Sequence, residues 1–101
     1  MFGMTSKDAD NLGAGLKICK KLRILRIHNS RMDDDKFYAL FDGIKNLPLL
    51  ENVQFQNNLL TDESSESLVK LISGPSNIKY LDVTNNRLEC VQLSIFKNCT
   101  F

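Results

Sequence analysis

The chain has 101 residues, 43% hydrophobic and 25% charged, with 13 basic and 12 acidic side chains and a formal net charge of +1. That length allows one domain, near the lower end for a self-sufficient core, and the near-neutral balance leaves no strong electrostatic footprint for nucleic acid or an anionic membrane. No apolar run approaches the roughly 18–20 residues that span a bilayer, and the opening MFGMTSKDAD lacks the basic and apolar regions of a secretory signal.

Residues 5–20 carry Ala9, Leu12, Leu16 and Cys19 on one helical face. Thr5, followed three residues later by Asp8, is compatible with an N-cap. Residues 22–27 alternate in the β sense, with Leu25 and Ile27 pointing one way and Ile24 and Arg26 the other. Residues 33–46 return to helical spacing through Phe37, Leu40, Phe41 and Ile44. They open with Asp33, Asp34 and Asp35, where a helix macrodipole favours negative charge. A cation site is the functional reading of that triplet. The simpler reading is a capped, solvated helix start, because a calcium loop needs more oxygen ligands at fixed intervals.

Pro48 ends this helix and delivers the chain to a second strand. Residues 61–73 give a third helix that buries Leu68, Leu71 and Ile72 and closes at Ser73-Gly74-Pro75. Phe96 continues the series Leu12, Leu40 and Leu68, so residues 89–98 are expected to form a short fourth helix with no strand after it.

The second strand lies in residues 50–60, LENVQFQNNLL, which has the pattern L-x-x-L-x-L-x-x-N-x-L of a leucine-rich repeat. Twenty-eight residues earlier stand Leu22, Leu25, Ile27, Ser30 and Met32, and 28 later Ile78, Leu81, Val83, Asn86 and Leu88. The expected architecture is therefore α/β, a short leucine-rich-repeat solenoid or horseshoe segment with about three parallel strands and four helices. Its domain runs over residues 4–101, as a partial repeat 4–21 and repeats 22–49, 50–77 and 78–101. Stacking of neighbouring units makes the core, with Leu25, Ile27, Val53, Phe55, Leu81 and Val83 on its strand side. Leu12, Leu16, Leu40, Ile44, Leu68 and Ile72 are the helix side.

A period of 28 with a helix in each unit resembles the ribonuclease-inhibitor type of leucine-rich repeat. Two departures are the loss of the glycine after the strand, replaced by Lys36 and Ser64, and Ser30 in place of the ladder asparagine. Residues 22–36, LRILRIHNSRMDDDK, followed by LPLLENVQFQNNLLTDE, resemble the t-complex-associated testis-expressed family of leucine-rich proteins, which belong to the nexin–dynein regulatory complex of cilia. That resemblance implies a scaffold on axonemal doublet microtubules, with other complex subunits as partners and no catalytic residues.

In such a coil the strand residues pointing away from the core form rows on the concave face. These are Ile24, Asn52 and Tyr80; Arg26, Gln54 and Asp82; His28, Gln56 and Thr84; with Arg31, Leu59 and Arg87 at the strand ends. Such a mixture suits a protein partner, with Tyr80 and Arg26 the candidates for the largest contributions. The alternative is a solvated sheet face with binding elsewhere. Asn29, Asn57 and Asn85, with Asn58 and Asn86, read as residues that bond neighbouring backbone where the chain leaves each strand.

No catalytic or cofactor-binding constellation emerges. His28 is the only histidine, and its expected neighbours Arg26 and Gln56 are not nucleophiles. Cys19 reads as a small core residue. Gly13-Ala14-Gly15 lacks the spacing of a phosphate loop. Cys19, Cys90 and Cys99 lack C-x-x-C spacing and predict reduced cytosolic thiols rather than disulfides or a zinc site.

The leading functional expectation is a non-enzymatic interaction scaffold of the ciliary complex, cytoplasmic or bound to the axonemal cytoskeleton, with no cofactor, nucleic acid or membrane as partner. Alternatives are an inhibitor or regulatory protein acting through the concave face, or a truncated fragment without independent function. Val91, Leu93, Ile95, Phe96 and Phe101 favour self-association through an uncapped solenoid end.

Overall fold

A computed structural model of the protein describes residues 3–73 and 77–89, together with the backbone of residues 99–100. Three α-helices stand among the described residues: α1 (Ser6–Leu16), α2 (Asp34–Ile44) and α3 (Ser65–Ile72), the last preceded by a 3-10 turn at Asp62–Ser64. They alternate with β1 (Ile24–Arg26), β2 (Asn52–Gln54) and β3 (Tyr80–Asp82), and a two-residue β4 (Cys99–Thr100) follows. The strands form one sheet in chain order, every pair parallel. Ile24 pairs with Asn52 and Asn52 with Tyr80, so the 28-residue spacing of the sequence is the register of the first three strands. Parallel pairing needs a crossover of a dozen or more residues, which the α2 and α3 segments supply.

Each crossover begins at a short polar side chain in extended backbone. Thr5, Asp33 and Thr61, again 28 residues apart, accept from the amides of Asp8, Lys36 and Glu63. Caps of this kind contribute about 1 kcal/mol each. Asp8 returns the bond to the Thr5 amide, and that amide with the Thr5 hydroxyl holds the Asp8 carboxyl below its ordinary range. Asp33 also pairs with Lys36 at 3.7 Å.

Asp34 reaches into the next unit, accepting from the Thr61 amide at 2.9 Å and from the Thr61 and Ser64 hydroxyls at 2.5 Å each. Burial pushes its carboxyl up, but the bonds from Ser64 and Thr61 outweigh burial and leave it below the usual carboxylate range. Asp62 makes the same tie one unit later, accepting from the Glu89 amide at 2.8 Å. Two members of the acidic triplet thus cap a helix and tie units together.

The apolar side of the sheet meets the helices. Leu25, Val53 and Leu81 are buried, as are Ile27, Phe55 and Val83 just beyond each strand. Opposite them pack Leu16, Phe37, Leu40, Ile44, Leu68 and Leu71. The Phe37 ring meets Phe55 edge-on at 5.6 Å and Phe41 at 6.0 Å, contacts worth about 0.5–1.5 kcal/mol each beyond burial. Leu71 takes the inward position in α3, and Ile72, expected there, is only partly buried. The 3-10 turn before α3 has three residues per turn rather than 3.6, which rotates the inward face towards the earlier residue. Leu12 is also only partly covered, because α1 has a helical neighbour on one side alone among the described residues.

Asparagines set the turns after the strands. Asn29, Asn57 and Asn85 all adopt φ 57°, the left-handed region that asparagine tolerates better than most residues. Buried Asn58 accepts from the amides of Ser30 and Met32 at 3.1 Å each, and donates to the carbonyls of Ile27, Phe55 and Gln56 at 2.8, 3.0 and 3.2 Å. Asn86 repeats the arrangement with the Leu60 amide and the carbonyls of Phe55, Val83 and Thr84. At the equivalent place Ser30 bonds through its hydroxyl to the His28 carbonyl, and the next residue, Arg31, is left at φ 52°. That conformation costs a residue with a Cβ about 1–2 kcal/mol.

Two expectations need correction. Cys19 is no core residue: α1 stops at Leu16, the amide of Cys19 turns back to the Leu16 carbonyl, and the exposed thiol points at the Gly15 carbonyl, 3.3 Å away. The sheet also has a fourth strand, where three were expected. Cys99 pairs with Leu81 only 18 residues earlier, so the 28-residue strand register does not extend to β4. The outer edge of β3 offers unpaired amides and carbonyls, and a following segment of chain satisfies them. The expected helix over residues 89–98 falls mostly outside the described residues. So do the residues on which self-association was argued, Val91, Leu93, Ile95, Phe96 and Phe101.

α1 and α2 approach through glycines. A Cβ at Gly43 would stand 2.1 Å from the Gly13 carbonyl oxygen, and one at Gly13 would stand 2.8 Å from that of Ala39. Gly15, in the same helix as Gly13, faces open space. Gly43→Ala must therefore push the helices apart, with an expected loss of about 1–3 kcal/mol. Gly15→Ala should gain up to about 1 kcal/mol. Urea denaturation of the two variants checks the pair, and equal effects would refute the close approach.

Candidate interaction face

The sheet face turned away from the helices carries the residues singled out from the sequence, and the strand register lines them up. Ile24, Asn52 and Tyr80 form one row, and Arg26, Gln54 and Asp82 the next. The amide of Asn29 bonds to the Gln56 carbonyl and that of Asn57 to the Thr84 carbonyl. The ladder therefore continues past His28, Gln56 and Thr84. Leu59 and Arg87 make isolated bridges to Asp33 and Thr61. Arg31 departs from this line because of its left-handed backbone, and its side-chain carbons lie over Gly3.

Exposure differs sharply along the rows. Ile24, Arg26, His28, Arg31, Tyr80 and Arg87 are exposed, whereas Asn52, Gln54, Gln56 and Thr84 are half-buried. Asp82 is only 9% exposed, which corrects its expected place as a charge offered to a partner. Its carboxylate is consumed by its neighbours. One oxygen accepts from Gln56 Nε2 at 3.1 Å and the Tyr80 hydroxyl at 3.3 Å. The other accepts from the amide and hydroxyl of Thr84 at 3.0 and 2.7 Å. A carboxylate offers about four acceptor sites, so none is left over.

Amides complete the lattice. Gln54 Nε2 donates to Asn52 Oδ1 at 3.0 Å, and Gln56 Nε2 reaches Gln54 Oε1 at 3.4 Å. Among the described residues Gln56 Oε1 is buried without a hydrogen-bond partner, an arrangement that costs about 1–3 kcal/mol. The centre is thus a fixed network of amides around a saturated carboxylate. Around it Arg26, Arg31 and Arg87 are exposed, and none pairs with a carboxylate among the described residues.

His28 Nδ1 lies 3.4 Å from Asn29 Nδ2. The saturation of Asp82 was partly legible, since Thr84 two residues on suits a local carboxylate-to-backbone turn. Nothing in the sequence marked the bonds from Gln56 and Tyr80. Asp82→Ala should leave those groups unpaired and cost about 1–3 kcal/mol. Chemical denaturation of the variant measures it, and an unchanged midpoint would show that the network does not hold the face.

No family model matches the chain. It is 31% identical over 72 residues to dynein regulatory complex subunit 5 of Macaca fascicularis, and 31% identical over 71 residues to the Homo sapiens protein of that name. The Mus musculus protein of the same name is 33% identical over 70 residues. These matches cover 71%, 70% and 69% of this chain but 14% of each relative, so the chain spans about one seventh of their length. Over that stretch the chain is similar to dynein regulatory complex subunit 5.

Proposed function

We propose that the chain is a non-enzymatic scaffold of the ciliary dynein regulatory complex, located on the axoneme and bound to other protein subunits. The observation that carries this reading is the similarity of about seven-tenths of the chain to three subunits of that name. We assign the architecture to a short leucine-rich-repeat solenoid of the ribonuclease-inhibitor type. The 28-residue register of β1 to β3 supports it, as do the cap residues and left-handed asparagines recurring at the same spacing.

The open sheet face is the binding surface in this reading. Its network is already ordered, so little conformational freedom is lost when a partner docks. Tyr80 offers a ring whose hydroxyl is held by Asp82, and Arg26 offers an uncommitted guanidinium in the adjacent row. Interface energy concentrates in such residues. An inhibitor of a basic enzyme would need an acidic face to steer its target, and this face presents arginines instead.

The test is co-sedimentation of purified chain with salt-stripped axonemes. Tyr80→Ala and Arg26→Glu are each expected to weaken association by about 2 kcal/mol, roughly 30-fold, while the unfolding midpoint of Arg26→Glu stays near that of the parent and that of Tyr80→Ala falls with the loss of its bond to Asp82. Undiminished association of both variants would refute the face assignment.

A further inference from the structure

The connection from α1 to β1, residues 17–23 with the sequence KICKKLR, is unlike its counterparts one and two units later. It holds Lys17, Lys20, Lys21 and Arg23 and no acid. The corresponding residues 45–51 contain one lysine and one glutamate, and residues 73–79 one lysine. Ile18, its second residue, is 78% exposed. The residues 28 and 56 positions further on are Asn46 and Gly74, so the fold does not require an apolar side chain at that place. Lys20 and Lys21 likewise correspond to Pro48 and Leu49.

Consecutive hydrogen bonds hold this connection in shape. The amide of Ile18 reaches the Gly15 carbonyl at 3.4 Å, that of Cys19 the Leu16 carbonyl at 2.9 Å, and that of Leu22 the Cys19 carbonyl at 3.1 Å. The flanking cations are anchored to the next unit, Lys17 to Asp42 at 3.4 Å and Arg23 to Glu51 at 3.8 Å. Lys20 and Lys21 between them are exposed and pair with no carboxylate among the described residues. Ile18, Cys19, Lys20, Lys21 and Leu22 line a shallow hollow of about 420 Å³.

We propose that residues 17–23 form a second docking surface, separate from the open sheet face, that takes an acidic protein segment with one apolar side chain seated against Ile18. Carboxylates of the segment pair with Lys20 and Lys21, and its apolar side chain covers an isoleucine that the fold leaves in water. A hollow with one exposed aliphatic side chain fits a chain segment better than a flat bilayer. The absence of an aromatic ring among residues 17–23 removes the stacking that single-stranded nucleic acid uses.

Isothermal titration of the whole chain with the peptide Glu-Glu-Glu-Leu-Glu-Glu-Glu tests this. Binding is expected, weakening by about tenfold or more between about 50 and 300 mM salt. The double variant Lys20→Glu/Lys21→Glu should lose a further factor of about ten. Ile18→Ser should lose about three- to tenfold with an unchanged melting temperature, because Ile18 is exposed. Arg26→Glu, on the open face, should bind the peptide as the parent does, which separates this proposal from the one above. No binding, binding by the residue 18 or the residue 20/21 variant equal to that of the parent, loss of binding in Arg26→Glu, or tighter binding to phosphatidylserine vesicles or duplex DNA than to the peptide would each overturn it.

Discussion

Five hydrogen bonds meet at the side chain of Asn58, where the chain leaves β2. The position is buried, and a buried amide without its partners would cost several kcal/mol. Those partners are backbone groups on two successive turns, residues 27–32 and 55–56, so the turns are fixed relative to each other. Asn86 fixes the next pair in the same way. With turns locked at constant separation, neighbouring strands share a register and helix caps recur three residues further on. Everything on the open face inherits its alignment from that constraint.

The inward half of the structure was legible because burial needs only a period. Leu25, Val53 and Leu81 announce themselves by spacing, and the structure buries all three. The caps at Thr5 and at the acidic opening of α2 were legible too, since few side chains can bond an orphan amide from extended backbone. What spacing cannot convey is where a pattern stops. Cys19 fits the helical face of α1 by periodicity, but the hydrogen bonds end that helix at Leu16. Nor can it convey absence of a side chain: Gly13 and Gly43 matter because two backbones touch there, and they lie 30 residues apart in sequence.

On the open face the rows followed from the register, but the charge of the face did not. Counting residues gives three arginines, a histidine and an aspartate. The structure spends the aspartate's hydrogen-bonding capacity on Gln56, Tyr80 and Thr84, so it offers a partner no free acceptor. A near-neutral chain therefore offers two cationic surfaces, the arginine rim of the sheet and the lysines beside Ile18. Part of the balancing acid makes bonds within the chain, in helix caps and in ties such as those of Asp34 and Asp62.

The proposed role places this chain in an axonemal assembly rather than alone. Fractionation of ciliated cells tests it most directly, by following the chain through detergent extraction and then high salt. Retention with the axoneme after detergent and release by salt are expected, because attraction through exposed arginines and lysines is screened. A chain found wholly in the detergent-soluble fraction would refute the proposed role.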